Sequence, residues 1–158
     1  MRLYELIQAI NLSESVNPID NNDGAGVTSY NKDVDYFGKV VTMKPSTFLK
    51  LAAHIDTLHS KSGLIKYMQE GGKVASPMLF FQIPDEWLEG DFSKPAKING
   101  HEGRNRMSAI KDIYGDIEVE THIFIRGLRS RHLTDQMLAR MNENCISEEE
   151  ILRTGPFW

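Results

Sequence analysis

Nine consecutive residues, Ile117-Glu118-Val119-Glu120-Thr121-His122-Ile123-Phe124-Ile125, alternate apolar and polar side chains over most of their length. A period of two sends alternate side chains to opposite faces, so this segment is a strand that needs pairing neighbours and a covering layer. Elsewhere the period changes to that of a helix. After Pro45-Ser46, the residues Phe48, Leu51, Ala52, Ile55 and Leu58 form one apolar stripe, and Met107, Ile110 and Ile113 form another before Gly115. A chain that carries both periods in one stretch predicts a mixed α/β domain, a small sheet with helices packed around it.

The remaining segments fit that expectation. Phe37 to Met43 has strand character and stops before Lys44-Pro45. Leu64 to Gln69 reads as a short helix ended by Gly71-Gly72, and Pro77 to Ile83 as a buried strand between prolines. Asp85 to Pro95 is an excursion, and Ala96-Lys97-Ile98 a short strand. Thr134 is placed to cap a helix with Met137, Leu138 and Met141 on its core side, and Ser147-Glu148-Glu149-Glu150 fits a capping box. At the other end, Leu3, Leu6, Ile7 and Ile10 give a short amphipathic helix over residues 2–11. The stretch Ser13 to Asp35, with Asn17-Pro18 and Asn21-Asn22-Asp23-Gly24, reads as a linker. The expected division is therefore an arm and linker over 1–35 and one α/β domain with C-terminal helices over 36–158.

Composition narrows the classes of function. The 158 residues suit one domain, and a net charge of −4 argues against general coating of DNA or acidic membrane while allowing a local basic patch. The lone Cys145 excludes an internal disulfide, and no apolar run reaches the ~20 residues of a membrane helix. A cytoplasmic protein without a membrane partner is expected, of unspecified oligomeric state.

The richest chemistry lies in Ile98-Asn99-Gly100-His101-Glu102-Gly103-Arg104-Asn105-Arg106-Met107. An extended segment is expected to end in a glycine-flanked polar turn, from which a helix starts on two arginines. Free amide N–H groups, the positive end of a helix dipole and two guanidinium groups at one point make a seat for phosphate. The binding set would be Gly100, Gly103, Arg104, Asn105 and Arg106, joined by Gly72, Lys73 and Ser76 as a second phosphate-facing loop. Glu102 either ligates Mg²⁺ or acts as a base, or it simply caps free N–H groups; His101 either moves a proton or binds phosphate, or it shapes the turn. Arg126, Arg129 and Arg131 form the one dense basic cluster and would line the same edge to touch nucleic-acid phosphates, unless they are only a solvated loop. His54 and His59 fit no common zinc spacing, and Trp87 and Trp158 read as packing residues.

Three of these features together resemble the ParB/sulfiredoxin superfamily. The helix from Pro45 with Ser62-Gly63-Leu64-Ile65, followed by Ser76-Pro77-Met78-Leu79-Phe80, is similar to the N-terminal ParB pattern of a helix and glycine before a P-I-x-V strand. Ile98 to Ala109 resembles the second box, a strand followed by G-E-R-R-x-R-A, with Glu102, Arg104 and Arg106 on its glutamate and two of its arginines and Gly103 in place of the first arginine. The turn is also similar to the D-G-H-H-R element of the superfamily's free-serine kinases and the G-C-H-R loop of sulfiredoxins, although the sulfiredoxin cysteine is missing here. The likeness spans roughly residues 37–126 and matches the small stand-alone ParB-like proteins of phages. It implies phosphotransfer or nucleotide hydrolysis with a nucleoside triphosphate and Mg²⁺. The expected function is a nucleotide-dependent phosphotransferase or hydrolase, or a nuclease if the substrate is a nucleic-acid backbone, with Glu102, His101 and Arg104 as catalytic groups. The alternative is a non-enzymatic phage-type module that recognises DNA, nucleotide or a host protein. A second carboxylate near Glu102, from Asp85, Glu86, Glu118 or Glu120, would favour the enzyme.

Overall fold

The computed structural model describes residues 17–20, 36–52, 61–129, 131–143, 145–147 and 150–151. The expected helix over 2–11, the pair His54 and His59, and Trp158 lie outside them. The first strand, β1 (Tyr36–Met43), leads through Lys44 into helix α1 (Pro45–Leu51), and α2 (Ser62–Gln69) precedes β2 (Met78–Gln82). A 3-10 turn over Asp85–Glu89 fills the excursion before β3 (Ala96–Glu102), α3 (Arg104–Tyr114) and β4 (Val119–Arg126). Helix α4 (Asp135–Glu143) and the two-residue strand β5 (Cys145–Ile146) follow. Thr134 caps α4 as expected, its Oγ1 accepting from the Met137 amide at 3.1 Å.

The five strands form one mixed sheet in the order β1-β4-β2-β3-β5. β1 runs antiparallel to β4, β2 parallel to β4, β3 antiparallel to β2, and β5 parallel to β3. Register places Val40, His122, Met78 and Glu102 in one row across four strands, while Tyr36, Arg126, Gln82 and Lys97 make a row at the opposite end. β3 therefore ends where β4 begins, with β2 lying between them. Two strand spacings amount to ~10 Å. An eleven-residue helix, α3, makes that crossing, and at ~1.5 Å per residue it is long enough to do so.

The core lies on the face lined by Leu79, Phe81, Ile98, Val119, Ile123 and Ile125. Against it pack Phe48 and Ala52 from α1 and Met107, Ala109 and Ile110 from α3. Four consecutive residues of α3, Met107 to Ile110, are buried, because α1 and α2 pack beside it while the sheet lies beneath. The buried Ser108 accepts a hydrogen bond from Lys61 Nζ, which also pairs with Asp112 at 2.6 Å. The start of α1 is held from a distance: Asp116 accepts from the Ser46 amide at 2.8 Å and from its hydroxyl at 2.6 Å. Those two bonds hold the Asp116 carboxyl below its ordinary pKa. On the opposite sheet face Phe80 and Phe124 stack with ring centroids 5.2 Å apart.

Three expectations change. Residues 17–20, assigned to the linker, are docked: Ile19 bridges Val74 in parallel, and Val74 exchanges amide bonds with Pro18 and Asp20, each of 2.9 Å. Ile19 is buried, so one apolar side chain fixes a stretch whose asparagines and glycines suggested no structure. Second, β3 does not stop at Ile98. It runs through Glu102, because pairing with β2 outweighs the turn preference of Asn99 and Gly100, with one extra residue accommodated as a bulge. Third, β5 was not expected at all, since two residues carry no readable period. The 3-10 segment does follow the packing reading for Trp87, which is 1% exposed and donates its indole N–H to the Lys94 carbonyl at 2.8 Å.

If Ile19 is part of the core, Ile19→Ala should lower unfolding free energy by roughly 2–3 kcal/mol in urea titration. An unchanged midpoint would return residues 17–20 to the linker.

Candidate functional site

The junction between β3 and α3 is a single residue. Gly103 stands in the left-handed region at φ 93°, and a Cβ there would fall 2.8 Å from Arg106 Nη2. Glycine thus lets the chain reverse from strand to helix in one step and lets a guanidinium fold back over the turn. No side chain caps the start of α3, and its first turn holds no acid.

The two arginines have different fates. Arg106 donates through Nη1 to the Ala75 carbonyl at 2.9 Å and lies 3.8 Å from the Glu102 carboxylate. It ties the start of α3 to the strand-entry segment Ala75-Ser76 and is a structural clamp more than an open phosphate fork. Arg104 has no such anchor among the described residues. Its Nε is shut away from water without a hydrogen-bond partner, which is costly for a charged group. Asn105 is half-buried in the same turn.

His101 and Glu102, expected to work together in the turn, are successive residues of β3 and so point to opposite faces. His101 pairs in register with Leu79, Glu102 with Met78, and Gly100 with Phe80. The second loop is brought close, as Arg106 shows, but its glycine has another task. A Cβ on Gly72 would lie 2.5 Å from the Tyr67 ring, so Gly72 makes room for packing. Tyr67 also donates its hydroxyl to the Lys73 carbonyl at 3.3 Å, and Lys73 itself is exposed. Ser76 is fully buried and donates to Glu120 at 3.3 Å; Glu120 lies 3.5 Å from Nε2 of His122. Of the four candidate carboxylates, Glu120 is thus the one at the junction end. Asp85 pairs with Arg129 at 3.0 Å, Glu86 with Lys94 at 3.0 Å, and Glu118 faces a separate cleft. His122 was missed as a site residue, because its place in the alternating strand reads only as a solvent-side position.

The basic cluster is not at this edge. Arg126 ends β4 in the row with Gln82, four residues beyond His122. That separation is ~13 Å along the strand, so β4 carries the arginines to the far end of the sheet. There Arg129 pairs with Asp85, and Arg131 donates to the Leu88 carbonyl at 3.0 Å. Among the described residues no three His, Cys, Asp or Glu side chains converge to hold a metal ion, which leaves Glu102 as a single carboxylate for one. No described helix is long and apolar enough to cross a membrane. Cys145 lies in β5, away from the junction, and burial pushes its thiol up to about 12.

No family model matches this chain, and neither a curated protein nor a solved structure matches it. The fold and the junction define the class to which it can be assigned, a small α/β protein with one mixed five-stranded sheet.

Gly103→Ala should cost about 1–2 kcal/mol, the penalty for a left-handed L-residue. Gly63→Ala, at a helical position with open space around it, should be neutral or slightly stabilising. Equal effects in thermal unfolding would remove the special role of Gly103. For Cys145, a folded-state pKa above the unfolded value means that the unfolded chain gives up its proton first. The stabilising contribution is full below about pH 8.5 and declines as pH rises toward the folded value. Alkylation by iodoacetamide at pH 8 should be at least about a hundredfold slower than for a free thiol, and urea should restore it.

Proposed function

We propose that this chain is a nucleotide- or nucleic-acid-phosphate-binding protein that takes its anion at the β3–α3 junction. The observation that carries the reading is Arg104: a guanidinium at a helix start that no side chain caps, its Nε without a hydrogen-bond partner among the described residues. A phosphate held by that guanidinium and the positive end of the helix would supply the missing acceptor once the side chain turns toward it. Arg106 and Gly103 shape the seat, and Asn105 and Gly100 flank it. The likeness of residues 98–109 to the ParB/sulfiredoxin box supports a nucleotide as the phosphate carrier.

Binding is the part of this reading with the most support. His101 and Glu102 face opposite ways, so they do not act as a pair on one substrate. Glu102 alone would hold Mg²⁺ against the ligand's own phosphates. A catalytic version, a nucleotide-dependent phosphotransferase, hydrolase or nuclease, draws its support from Glu120 and His122, which stand beside Ser76 at the same end of the sheet. Arg126, Arg129 and Arg131 are too far along β4 to serve the same phosphate. A nucleic acid that reached both ends would have to run across the sheet.

A thermal-shift panel of ATP, CTP, GTP and short DNA, each with and without Mg²⁺, tests the reading, since a ligand that binds the folded state raises the midpoint. For a ligand found in this way, Arg104→Ala should weaken binding by ~1.5–3 kcal/mol in calorimetry, the range for hydrogen bonds to charged groups. The unliganded midpoint should hold or rise, because an unsatisfied buried group is removed. Unchanged affinity would overturn the placement.

A further inference from the structure

β1 is an edge strand, and among the described residues no strand pairs with its outer side. The hydrogen bonds of its neighbours show which of its backbone groups face outward. His122 donates its amide to the Pro77 carbonyl at 2.9 Å, and the Arg126 carbonyl accepts from the Ile83 amide at 3.1 Å. The N–H and C=O of one strand residue point the same way, so the even-numbered residues of β4 bond toward β2. Opposite Phe124, His122 and Glu120 in register stand Gly38, Val40 and Thr42. These pairs share no hydrogen bonds, so the amides and carbonyls of Gly38, Val40 and Thr42 point away from β4, to the open edge.

A row of free donors and acceptors recruits another strand unless something guards it. The other edge of the sheet is guarded: β5 covers Ala96 and Lys97, and the rest of β3 carries a bulge, His101 and Glu102. β1 has no such device. It pairs with β4 over eight residues without a register shift, holds no proline, and has Lys39 as its one charge. Phe37 and Val40, 40% and 52% exposed, are two of the three exposed large apolar residues among those described. Gly38, Lys39 and Thr42 are exposed as well.

The pattern along this edge is self-complementary. Two antiparallel strands related by a two-fold axis keep their faces on the same side, so an even-numbered residue meets an even-numbered one. A centre at Lys39 would set two ammonium groups opposite each other, which is unfavourable. A centre at Gly38 would leave no side chains to pack there. A centre at Val40 matches Val40 with itself, Gly38 with Thr42 and Lys39 with Val41, and it satisfies all three outward residues of each copy with about six hydrogen bonds. We infer that β1 pairs in this register with β1 of a second copy, joining two five-stranded sheets into one continuous sheet. A single strand pair is smaller than the ~1,600 Å² of stable interfaces, so the dimer dissociates on dilution. The surface is separate from the proposed phosphate seat, and the two can fail independently.

Sedimentation equilibrium over roughly 20–500 μM should show a monomer–dimer equilibrium. Amide exchange followed by NMR should slow at Gly38, Val40 and Thr42 as concentration rises, whereas Lys39 and Val41, already bonded to β4, should not change. Val40→Lys places two charges on the axis and should weaken association at least about tenfold. Its unfolding midpoint should stay native, because the side chain is exposed. Val40→Pro removes an amide that β4 does not use and should weaken association likewise. In a Cys145→Ala background, Val40→Cys should form an intermolecular disulfide under mild oxidation, its two Cα atoms standing about 5.5 Å apart. Thr42→Cys should not, since its copies lie ~13 Å apart along the strands. The inference is overturned by a monomer throughout that range, by a dimer that Val40→Lys leaves intact, by protection of those three amides in a chain that sediments as a monomer, or by cross-linking from Thr42→Cys as efficient as from Val40→Cys.

Discussion

The parallel pairing of β2 with β4 governs the arrangement of everything else. Once those strands lie side by side, β3 has to occupy the far flank of β2, and the chain has to climb over β2 to begin β4. That requirement makes α3 a bridge across the sheet and explains why four of its residues in a row are buried. It also decides where chemistry can collect. The one-residue turn at Gly103, the strand entry at Ser76, and the Glu120–His122 pair share one end, while β4 carries the chain to Arg126 at the other.

Much of the architecture can be read from periodicity alone. The alternation from Ile117 and the stripes through Phe48 and Met107 mark β4, α1 and α3 because each buries one face, and burial is what the pattern records. Failures came where burial was brief or bought by distant partners. Ile19 is a single apolar residue in a polar stretch, and Cys145-Ile146 is too short to have a period. Asn99-Gly100 looks like a turn, yet it extends a strand, since the ladder to Phe80 and Phe81 was invisible locally. The tie from Asp116 to Ser46 joins positions seventy apart and left no trace in either segment.

The helix start was legible in the sequence, since both arginines stand in the first turn of α3. Residue type and spacing do not separate a guanidinium that clamps backbone carbonyls from one whose Nε has no hydrogen-bond partner among the described residues. Arg106 reaches back over a glycine that has no Cβ in the way, and Ala75 offers its carbonyl there. For Nε of Arg104 no acceptor stands among the described residues. The pairing of His101 with Glu102 failed for a simpler reason: in a turn neighbours can converge, whereas in a strand they diverge.

The bulge in β3 has an evolutionary corollary. Upstream of it Ile98 faces Phe81 and downstream Gly100 faces Phe80, so Asn99 is the surplus residue. Striking it out would restore an unbroken ladder and leave Gly100, His101 and Glu102 opposite the partners they already have, at the loss of the contact from Asn99 to Gln82. Descendants of a common ancestor could therefore differ in length by one at this position and keep the same junction. An alignment gap there is a neutral event, while a gap two or three places later would break the doorway to α3.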